Sequence, residues 1–204
     1  GHKTNAYVIS NGVNDSFVPP SQPPHNDKFT IVCSGRYSRE KAQQQLLKAV
    51  AISKHKDEIR VILAGVGPRG SYLKALANRF DIDATFAFFS RDQMVKTLQN
   101  ADLYVHTAII EIEAIACMEA ICCGAVPVIC NSPRSATRFF AIGDNSLYEQ
   151  YDIEDLASKI DYWFEHPEEK AERSKEYGAT RRSFSQRECM EKMEAMLTDA
   201  VRNK

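Results

Sequence analysis

The sequence predicts an α/β fold in which a parallel sheet of about six strands is covered by helices on both faces. Short apolar runs alternate strictly with longer segments of helical apolar spacing along the chain. Most of these runs are continuously apolar, as expected for strands that are buried on both faces. The chain has 204 residues, of which 44% are hydrophobic and 26% charged, and this composition is typical of a soluble globular domain.

The elements follow in order from the first apolar run, Phe-Thr-Ile-Val-Cys-Ser, which predicts a strand at residues 29–34. Helical apolar spacing predicts a helix over residues 38–55, with Ser38 as its N-cap. Further strands are predicted at 59–64, 84–89, 103–106, 127–130 and, as a short one, 146–148. Further helices are predicted at 71–80, 91–100, 112–123, 153–165, 167–181 and 186–201. This order predicts a Rossmann-like three-layer sandwich.

The segment before the first strand is rich in proline, asparagine and serine, which indicates a linker or a long surface loop. We therefore predict a linker at residues 1–28, the main α/β domain at 29–183 and a C-terminal helix at 184–204.

Charge, hydropathy and cysteine usage exclude several classes of function. The formal net charge of −1 argues against nucleic acid as the main partner. No apolar run approaches the length needed to span a membrane. The six cysteines form no Cys-x-x-Cys pair, so they are interpreted as small buried hydrophobes rather than as disulfides or zinc ligands. No metal site is predicted.

The ligand site of such a sheet is expected in the crevice at the carboxyl ends of its strands. The segment 35–41, Gly-Arg-Tyr-Ser-Arg-Glu-Lys, follows the first strand and opens the next predicted helix. Gly35 would let a ligand approach the backbone, while Arg36 and Lys41 place two positive charges near one helix N-terminus. A phosphate or diphosphate fits this chemistry, and a solvated charged turn is the alternative. The position at a strand end favours anion binding.

Glu111 and Glu119 lie eight residues apart, so on one helix they would share a face. Glu119 has almost wholly apolar neighbours, and a carboxylate there needs donors such as ribose or sugar hydroxyls. Glu113 would point to a different face and is equally compatible with an ordinary surface position. His106, at a predicted strand end, is interpreted first as a core histidine with its polar atoms satisfied.

A second function class rests on Gly65, Gly67 and Gly70, which match the dinucleotide pattern Gly-x-Gly-x-x-Gly between a strand and a helix. A nicotinamide-dependent oxidoreductase would use this pattern. However, Pro68 lacks an N–H, and the next strand ends without the acidic residue that binds the ribose. A tight turn that lets a ligand approach the backbone is the competing interpretation.

Five segments together resemble a known family. They are Gly-Arg-x-x-x-Glu-Lys at 35–41, Ala-Gly-x-Gly-Pro at 64–68, Ala-Asp-Leu-Tyr-Val-His at 101–106, Glu-x7-Glu at 111–119 and Cys-Gly-Ala-Val-Pro-Val at 123–128. In this order they resemble the C-terminal, donor-binding domain of GT-B retaining glycosyltransferases of family four, known as glycosyl transferases group 1. The resemblance covers nearly the whole chain. Asn11-Gly12-Val13 also resembles the signature at which such chains enter this domain.

The resemblance implies a role for each matching residue. Gly35, Arg36 and Lys41 would bind the donor diphosphate, Glu119 the ribose, and the backbone of Phe89 the base. Glu111 would be the catalytic residue at the donor sugar. Such enzymes need no cofactor or metal, since basic groups stabilise the departing diphosphate. The family commonly has Gly-Phe-Gly after the first glutamate, where this chain has Ile112, Glu113 and Ala114. These three would form the donor-sugar loop.

The resemblance also implies partners. The donor would be a UDP- or GDP-sugar, and the acceptor a lipid or glycan, since residues 135–140 and 160–167 faintly resemble members that glycosylate membrane lipids. An N-terminal acceptor domain of the same protein would complete the enzyme, so we expect this chain alone to bind donor weakly and not to turn over. The expected location is the cytoplasm, peripherally at the membrane. A non-catalytic nucleotide-sugar-binding module is the third alternative, because Ile112–Ala114 replace the usual loop.

Overall fold

A computed structural model describes residues 7–22 and 26–202 of the chain. Six parallel strands form one sheet in the order β3-β2-β1-β4-β5-β6. Their bounds are β1 Phe29–Ser34, β2 Ile59–Ala64, β3 Ala84–Ala87, β4 Leu103–His106, β5 Pro127–Asn131 and β6 Leu147–Glu149. The predicted α/β class, the parallel sheet and the strand number are confirmed, and the order is that of a Rossmann-like sheet.

Seven α-helices cover the sheet in the described part of the chain. They are α1 Gln44–Ile52, α2 Gly70–Arg79, α3 Arg91–Gln99, α4 Ile115–Cys122, α5 Ile153–Glu165, α6 Pro167–Thr180 and α7 Gln186–Arg202. Helix α1 packs against α2 and α5, while α4 packs against α3 and α6. The core lies between these helices and the central strands, where Ile31, Val61 and Leu103 are completely buried. None of the described helices combines the length and apolarity needed to cross a bilayer.

Two predicted helix starts are wrong. Helix α1 begins at Gln44 rather than Ser38, because Ala42 has φ of +51°, a left-handed conformation that a right-handed helix cannot contain. Helix α4 begins at Ile115 rather than Ile112, so Glu111 is not on it and the predicted shared helix face with Glu119 does not exist. Helix α3 begins close to its predicted start, and Ser90 and Gln93 form a reciprocal capping box there.

The predicted linker is partly packed onto the domain. Val13 and Phe17 are buried, and Val13 forms a parallel β-bridge with Ser185 just before α7. Residues 1–6 and 23–25 of the linker, and 203–204 of the predicted C-terminal helix, lie outside the described residues. The domain boundaries remain a prediction. All six cysteines are free and buried, so the prediction that they are small buried residues is confirmed.

Candidate functional site

The crevice lies where the strand order reverses. Strands β1 and β4 are neighbours in the middle of the sheet, and the helices that follow them, α1 and α4, belong to different helix groups. The loops after the two strands therefore separate at the carboxyl edge and leave an opening between them.

A cavity of about 570 Å³ occupies this opening. Its lining includes four of the residues selected from the sequence, namely Gly35, Arg36, Phe89 and Glu119. Gly35 and Arg36 follow β1, whereas Glu119 comes from α4, on the other side of the reversal point. The fold therefore brings together residues separated by more than eighty positions, within a space of the size that small-molecule ligands occupy.

Lys41 and Glu111 form an ion pair beside this cavity, with the Lys41 ammonium donating to Glu111 Oε2. The Lys41 side chain passes over Gly35, since a Cβ on Gly35 would lie 3.8 Å from Lys41 Cδ. Thr107, directly after β4, holds the backbone of Lys41 by donating from its hydroxyl to the Lys41 carbonyl at 2.6 Å. The ammonium carries three N–H donors, so it can keep Glu111 and still donate to an anion.

Glu111 is positioned by backbone pairing rather than by a helix. It forms an isolated parallel bridge with Ser135: its N–H donates to the Arg134 carbonyl at 3.2 Å, and its carbonyl accepts from Ala136 N–H at 3.0 Å. The prediction from spacing was wrong because the pattern Glu-x7-Glu does not distinguish a helix from an extended segment that leads into one.

His106, the last residue of β4, lies next to this pair. Its Nε2 is 3.8 Å from Glu111 Oε2 and has no hydrogen-bond partner among the described residues. Burial, together with the nearby Lys41 charge, lowers the pKa of His106 from 6.5 to about 3, so the ring is neutral at physiological pH. The expectation of a core histidine with all its polar atoms satisfied is therefore wrong for Nε2.

Glu119 faces the cavity from α4. Burial raises the pKa of this carboxyl from 4.5 to about 7, and the positive charge of Arg91 opposes the shift. A partly desolvated carboxylate is suited to accept hydrogen bonds from neutral hydroxyl groups.

The predicted donor-sugar loop, residues 112–114, begins beside Glu111 and leads into α4. Ile112 is 90% exposed, and Ala114 is buried directly before the helix. Glu113 points to the linker, where its carboxylate accepts from the Ser10 hydroxyl and from the backbone and side-chain N–H groups of Asn11.

The glycine-rich loop after β2 packs against the loop after β1. A Cβ on Gly67 would lie 2.5 Å from the Tyr37 carbonyl oxygen, and one on Gly65 would collide with the Gly35 carbonyl. Backbone hydrogen bonds join the same loops, from Tyr37 to Val66 at 3.0 Å and from Arg69 to Tyr37 at 3.1 Å. The contact between the loops is therefore sufficient to explain Gly65 and Gly67.

Within residues 7–22 and 26–202, no group of three or more His, Cys, Asp and Glu side chains is arranged to hold a metal ion. The described crevice offers the cations Arg36 and Lys41, the carboxylates Glu111 and Glu119, and the neutral ring of His106.

The family described as "Glycosyl transferases group 1" matches residues 15–181, most of the length of the chain. The chain belongs to this family. Because the match runs through every strand and the whole crevice, the family assignment and the geometry refer to the same part of the molecule.

Solved structures agree with the assignment. This group 1 chain is 44% identical to the catalytic domain of cholesterol-alpha-glucosyltransferase from Helicobacter pylori, with a TM-score of 0.75, covering 77% of this chain and 99% of that one. The pneumococcal O-GlcNAc transferase bound to UDP and GlcNAc has a TM-score of 0.82 at 20% identity, covering 98% of this chain and 41% of that chain. HepE from Anabaena bound to UDP-glucose has a TM-score of 0.75 at 18% identity, and the match covers 85% of this chain and 49% of that chain.

The last two likenesses concern the fold alone, and the group 1 chain spans less than half the length of either protein. Among curated proteins, none matches the chain. Together the findings make this chain a GT-B glycosyltransferase domain of group 1.

Sequence reasoning missed two features of the group 1 site. The first is the contact of His106 with Glu111, for which the position of His106 at a strand end was the available signal. The second is the left-handed Ala42, which follows the lysine directly and for which the residue type carries no signal.

Proposed function

We propose that this chain is the donor-binding half of a retaining glycosyltransferase that moves a hexosyl group from a UDP-sugar to a lipid acceptor, with a sterol as the first candidate. One observation carries the donor part: the cavity at the strand-order reversal is lined by Gly35, Arg36, Phe89 and Glu119, with Lys41 beside it. These groups can bind a diphosphate at one end and ribose hydroxyls at the other.

The two cations have a chemical task in the proposed reaction. The bond between C1 of the sugar and the diphosphate oxygen breaks, and its electron pair leaves on the diphosphate. The acceptor oxygen bonds to C1, and its proton passes to the released UDP. Lys41 and Arg36 would stabilise the negative charge that develops on the departing group. In the same complex, Glu119 would accept hydrogen bonds from the ribose, and the Phe89 backbone would contact the base.

Glu111 is the proposed catalytic residue at the donor sugar. Its side chain is held by the Lys41 ammonium and its backbone by Arg134 and Ala136, so it is oriented before a ligand arrives. Such preorganisation reduces the entropy lost when the substrate is positioned. The Nε2 atom of His106 lies 3.8 Å from Oε2 of the same carboxylate.

The 44% sequence identity with the H. pylori enzyme supports a lipid acceptor and retention of the anomeric configuration. That relative is a cholesterol-alpha-glucosyltransferase, and this chain covers almost the whole of its solved catalytic domain at 44% identity. An N-terminal acceptor domain and a location at the cytoplasmic face of a membrane belong to the same proposal. The nicotinamide alternative has lost its basis, because the chain belongs to a glycosyltransferase family and loop packing accounts for Gly65 and Gly67.

Calorimetric titration of the chain with UDP, GDP and NADH tests the donor part. We expect UDP to bind and NADH not to bind. If GDP binds more tightly than UDP, the base assignment is wrong. If none of the nucleotides binds at millimolar concentration, the proposed function is wrong.

A transfer assay tests the enzymatic part, with the chain joined to its acceptor domain and supplied with UDP-glucose and cholesterol. We expect an α-glucoside, recognised by the small coupling constant of its anomeric proton. A β-glucoside would contradict retention. If the donor binds but is neither transferred nor hydrolysed, a non-catalytic nucleotide-sugar-binding module is favoured. The replaced loop residues, Ile112–Ala114, suggest this alternative.

A further inference from the structure

Glu113 connects the donor-sugar loop to the linker. Its carboxylate accepts three hydrogen bonds, from the Ser10 hydroxyl, from the Asn11 backbone N–H at 3.0 Å and from the Asn11 side-chain amide. All three donors lie about a hundred positions earlier in the sequence. None of the ion pairs in the described part of the chain includes Glu113, so neutral groups of the linker bind this charge.

The linker segment that holds Glu113 is itself fixed to the start of α7. Val13 N–H donates to Phe184 at 2.6 Å, and Gln186 N–H donates to Val13 at 3.0 Å. Gly12, between Asn11 and Val13, packs so closely that a Cβ there would lie 2.5 Å from Gln186 Cα. The Ser10 hydroxyl, in addition to holding Glu113, accepts from Gly12 N–H at 3.1 Å. Glu113 is therefore bound to a linker segment that is itself fixed to the start of α7.

In the described part of the chain, the side chain of Glu113 is the only one between the two ends of the loop that forms hydrogen bonds. Glu111 is held on one side by Arg134 and Ala136, and Ala114 is buried where α4 begins on the other. Ile112 has no packing partner that covers it, being 90% exposed. Hydrogen bonds to an ionised group are stronger than neutral ones, so the contacts of Glu113 dominate the position of the loop.

We propose that Glu113 is a positioning residue that clamps the donor-sugar loop onto the linker, so that the loop amides are held ready for the sugar of the donor. The inference rests on the proposed function. By linkage, donor sugar binding and the docking of residues 10–13 stabilise each other. A linker that is displaced from its docked position therefore weakens binding of the sugar part while leaving the binding of free UDP nearly unchanged.

Charge complementarity allows the clamp to be broken and rebuilt in this chain. Asn11→Asp places a second carboxylate against Glu113 and breaks the contact by repulsion. Adding Glu113→Gln to it restores the contact in reverse, because the Gln amide can donate to Asp while its oxygen accepts from Ser10 and the residue-11 N–H. Glu154→Gln, at an exposed glutamate in the first turn of α5, is the matched control.

The test compares the affinities for UDP and UDP-glucose by calorimetry in these variants, and amide hydrogen exchange over residues 110–116. For Asn11→Asp we expect about a tenfold loss of UDP-glucose affinity, less than about a twofold change for UDP, and faster exchange in the loop. The double variant recovers both properties, and Glu154→Gln changes neither.

The outcomes separate this inference from the proposed function. If the wild-type chain binds neither ligand, the proposed function is wrong and the positioning role is wrong with it. If the wild-type chain binds both ligands and Asn11→Asp weakens both equally, or weakens neither, only the role of Glu113 is wrong. Failure of the double variant to recover affinity and slow exchange also overturns that role, since a merely unfolded linker would not be repaired by a reversed pair.

Discussion

The carboxyl edge of the sheet and the layer formed by α1 and α5 border the same strands. Selected buried polar groups in these two regions differ in whether they have hydrogen-bond partners. In the α1–α5 layer, buried Ser53 and Asp161 bind each other, and the Trp163 indole N–H donates to the Asn145 carbonyl at 2.8 Å. At the carboxyl edge, His106 Nε2 has no hydrogen-bond partner in the described part of the chain, and burial raises the pKa of the partly desolvated Glu119 carboxyl.

The carboxyl edge also contains a strained backbone position. Helix α1 is regular from Gln44 onward, whereas Ala42 just before it has a left-handed conformation that costs an alanine about 1–2 kcal/mol. Unsatisfied and strained groups also occur in the helix layer, since Gln44 Oε1 in α1 has no partner in the described part of the chain and Tyr151 before α5 has φ of +69°. Those at the carboxyl edge differ in that they lie beside the cavity, where a ligand can use them. The following predictions separate the two regions, beginning with the largest expected effect.

Trp163→Ala in α5 tests the region that stabilises the fold. Trp163 is completely buried, so we expect a loss of about 3–5 kcal/mol in the free energy of unfolding, measured by urea denaturation. The affinity for UDP, measured below the unfolding transition, should change less than about twofold, since the variant touches no group at the carboxyl edge. A large loss of affinity in the folded variant would contradict the division between the regions.

Glu119→Ala tests the ligand-binding region. We expect UDP affinity to fall about 10- to 100-fold, because hydrogen bonding between the carboxylate and the ribose is lost, at a net cost of about 1.5–3 kcal/mol. Calorimetry is the measurement. Glu149→Ala, at the end of β6 on the same edge but outside the cavity, is the control and should bind as the wild type does. If both variants lose the same UDP affinity, the loss comes from the change in net charge and not from a specific contact of Glu119.

The pH dependence sharpens the assignment of Glu119. Because the pKa of its carboxyl is about 7 in the fold, UDP should bind more tightly at pH 8 than at pH 6, where the group takes up a proton. The folded-state pKa lies above the unfolded value of 4.5, so the stability that protonation contributes is complete below pH 4.5 and lost as the pH rises through 7.

Glu119→Gln should therefore raise the free energy of unfolding at pH 8 by about 1–2 kcal/mol, a value reduced for the partial exposure of the group, and leave it nearly unchanged at pH 5. Urea denaturation at the two pH values measures the difference. If Glu119→Gln changes the free energy of unfolding by the same amount at pH 5 and at pH 8, the raised pKa of Glu119 is wrong.

Ala42→Gly should produce the smallest effect. Glycine adopts φ of +51° without the steric penalty of alanine, and its greater backbone entropy in the unfolded chain offsets part of the gain. We expect a net increase of about 0.5–1 kcal/mol in the free energy of unfolding. Ala51→Gly, inside α1, is the control and should lower it by about 1 kcal/mol. Destabilisation by Ala42→Gly would show that the left-handed conformation is not strained.

Much of the architecture could be predicted from local pattern. The apolar runs located all six strands to within a few residues, because a buried parallel strand requires continuous apolar side chains wherever it occurs. The rule that ligands bind at carboxyl strand ends then selected Gly35, Arg36, Phe89 and Glu119, and the structure gathers these four around one cavity. Their roles toward a donor stay predictions.

The sequence by itself thus determined the fold class, the family and the edge of the sheet that carries the crevice. Only the tertiary structure decided that α1 starts after Ala42, that Glu111 lies in a β-bridge, that His106 faces it and that Glu113 binds the linker. The physical reason is the range of the interactions. Strand and helix patterns are set by neighbours along the chain, whereas loop conformations and carboxylate partners are set by groups up to a hundred positions away.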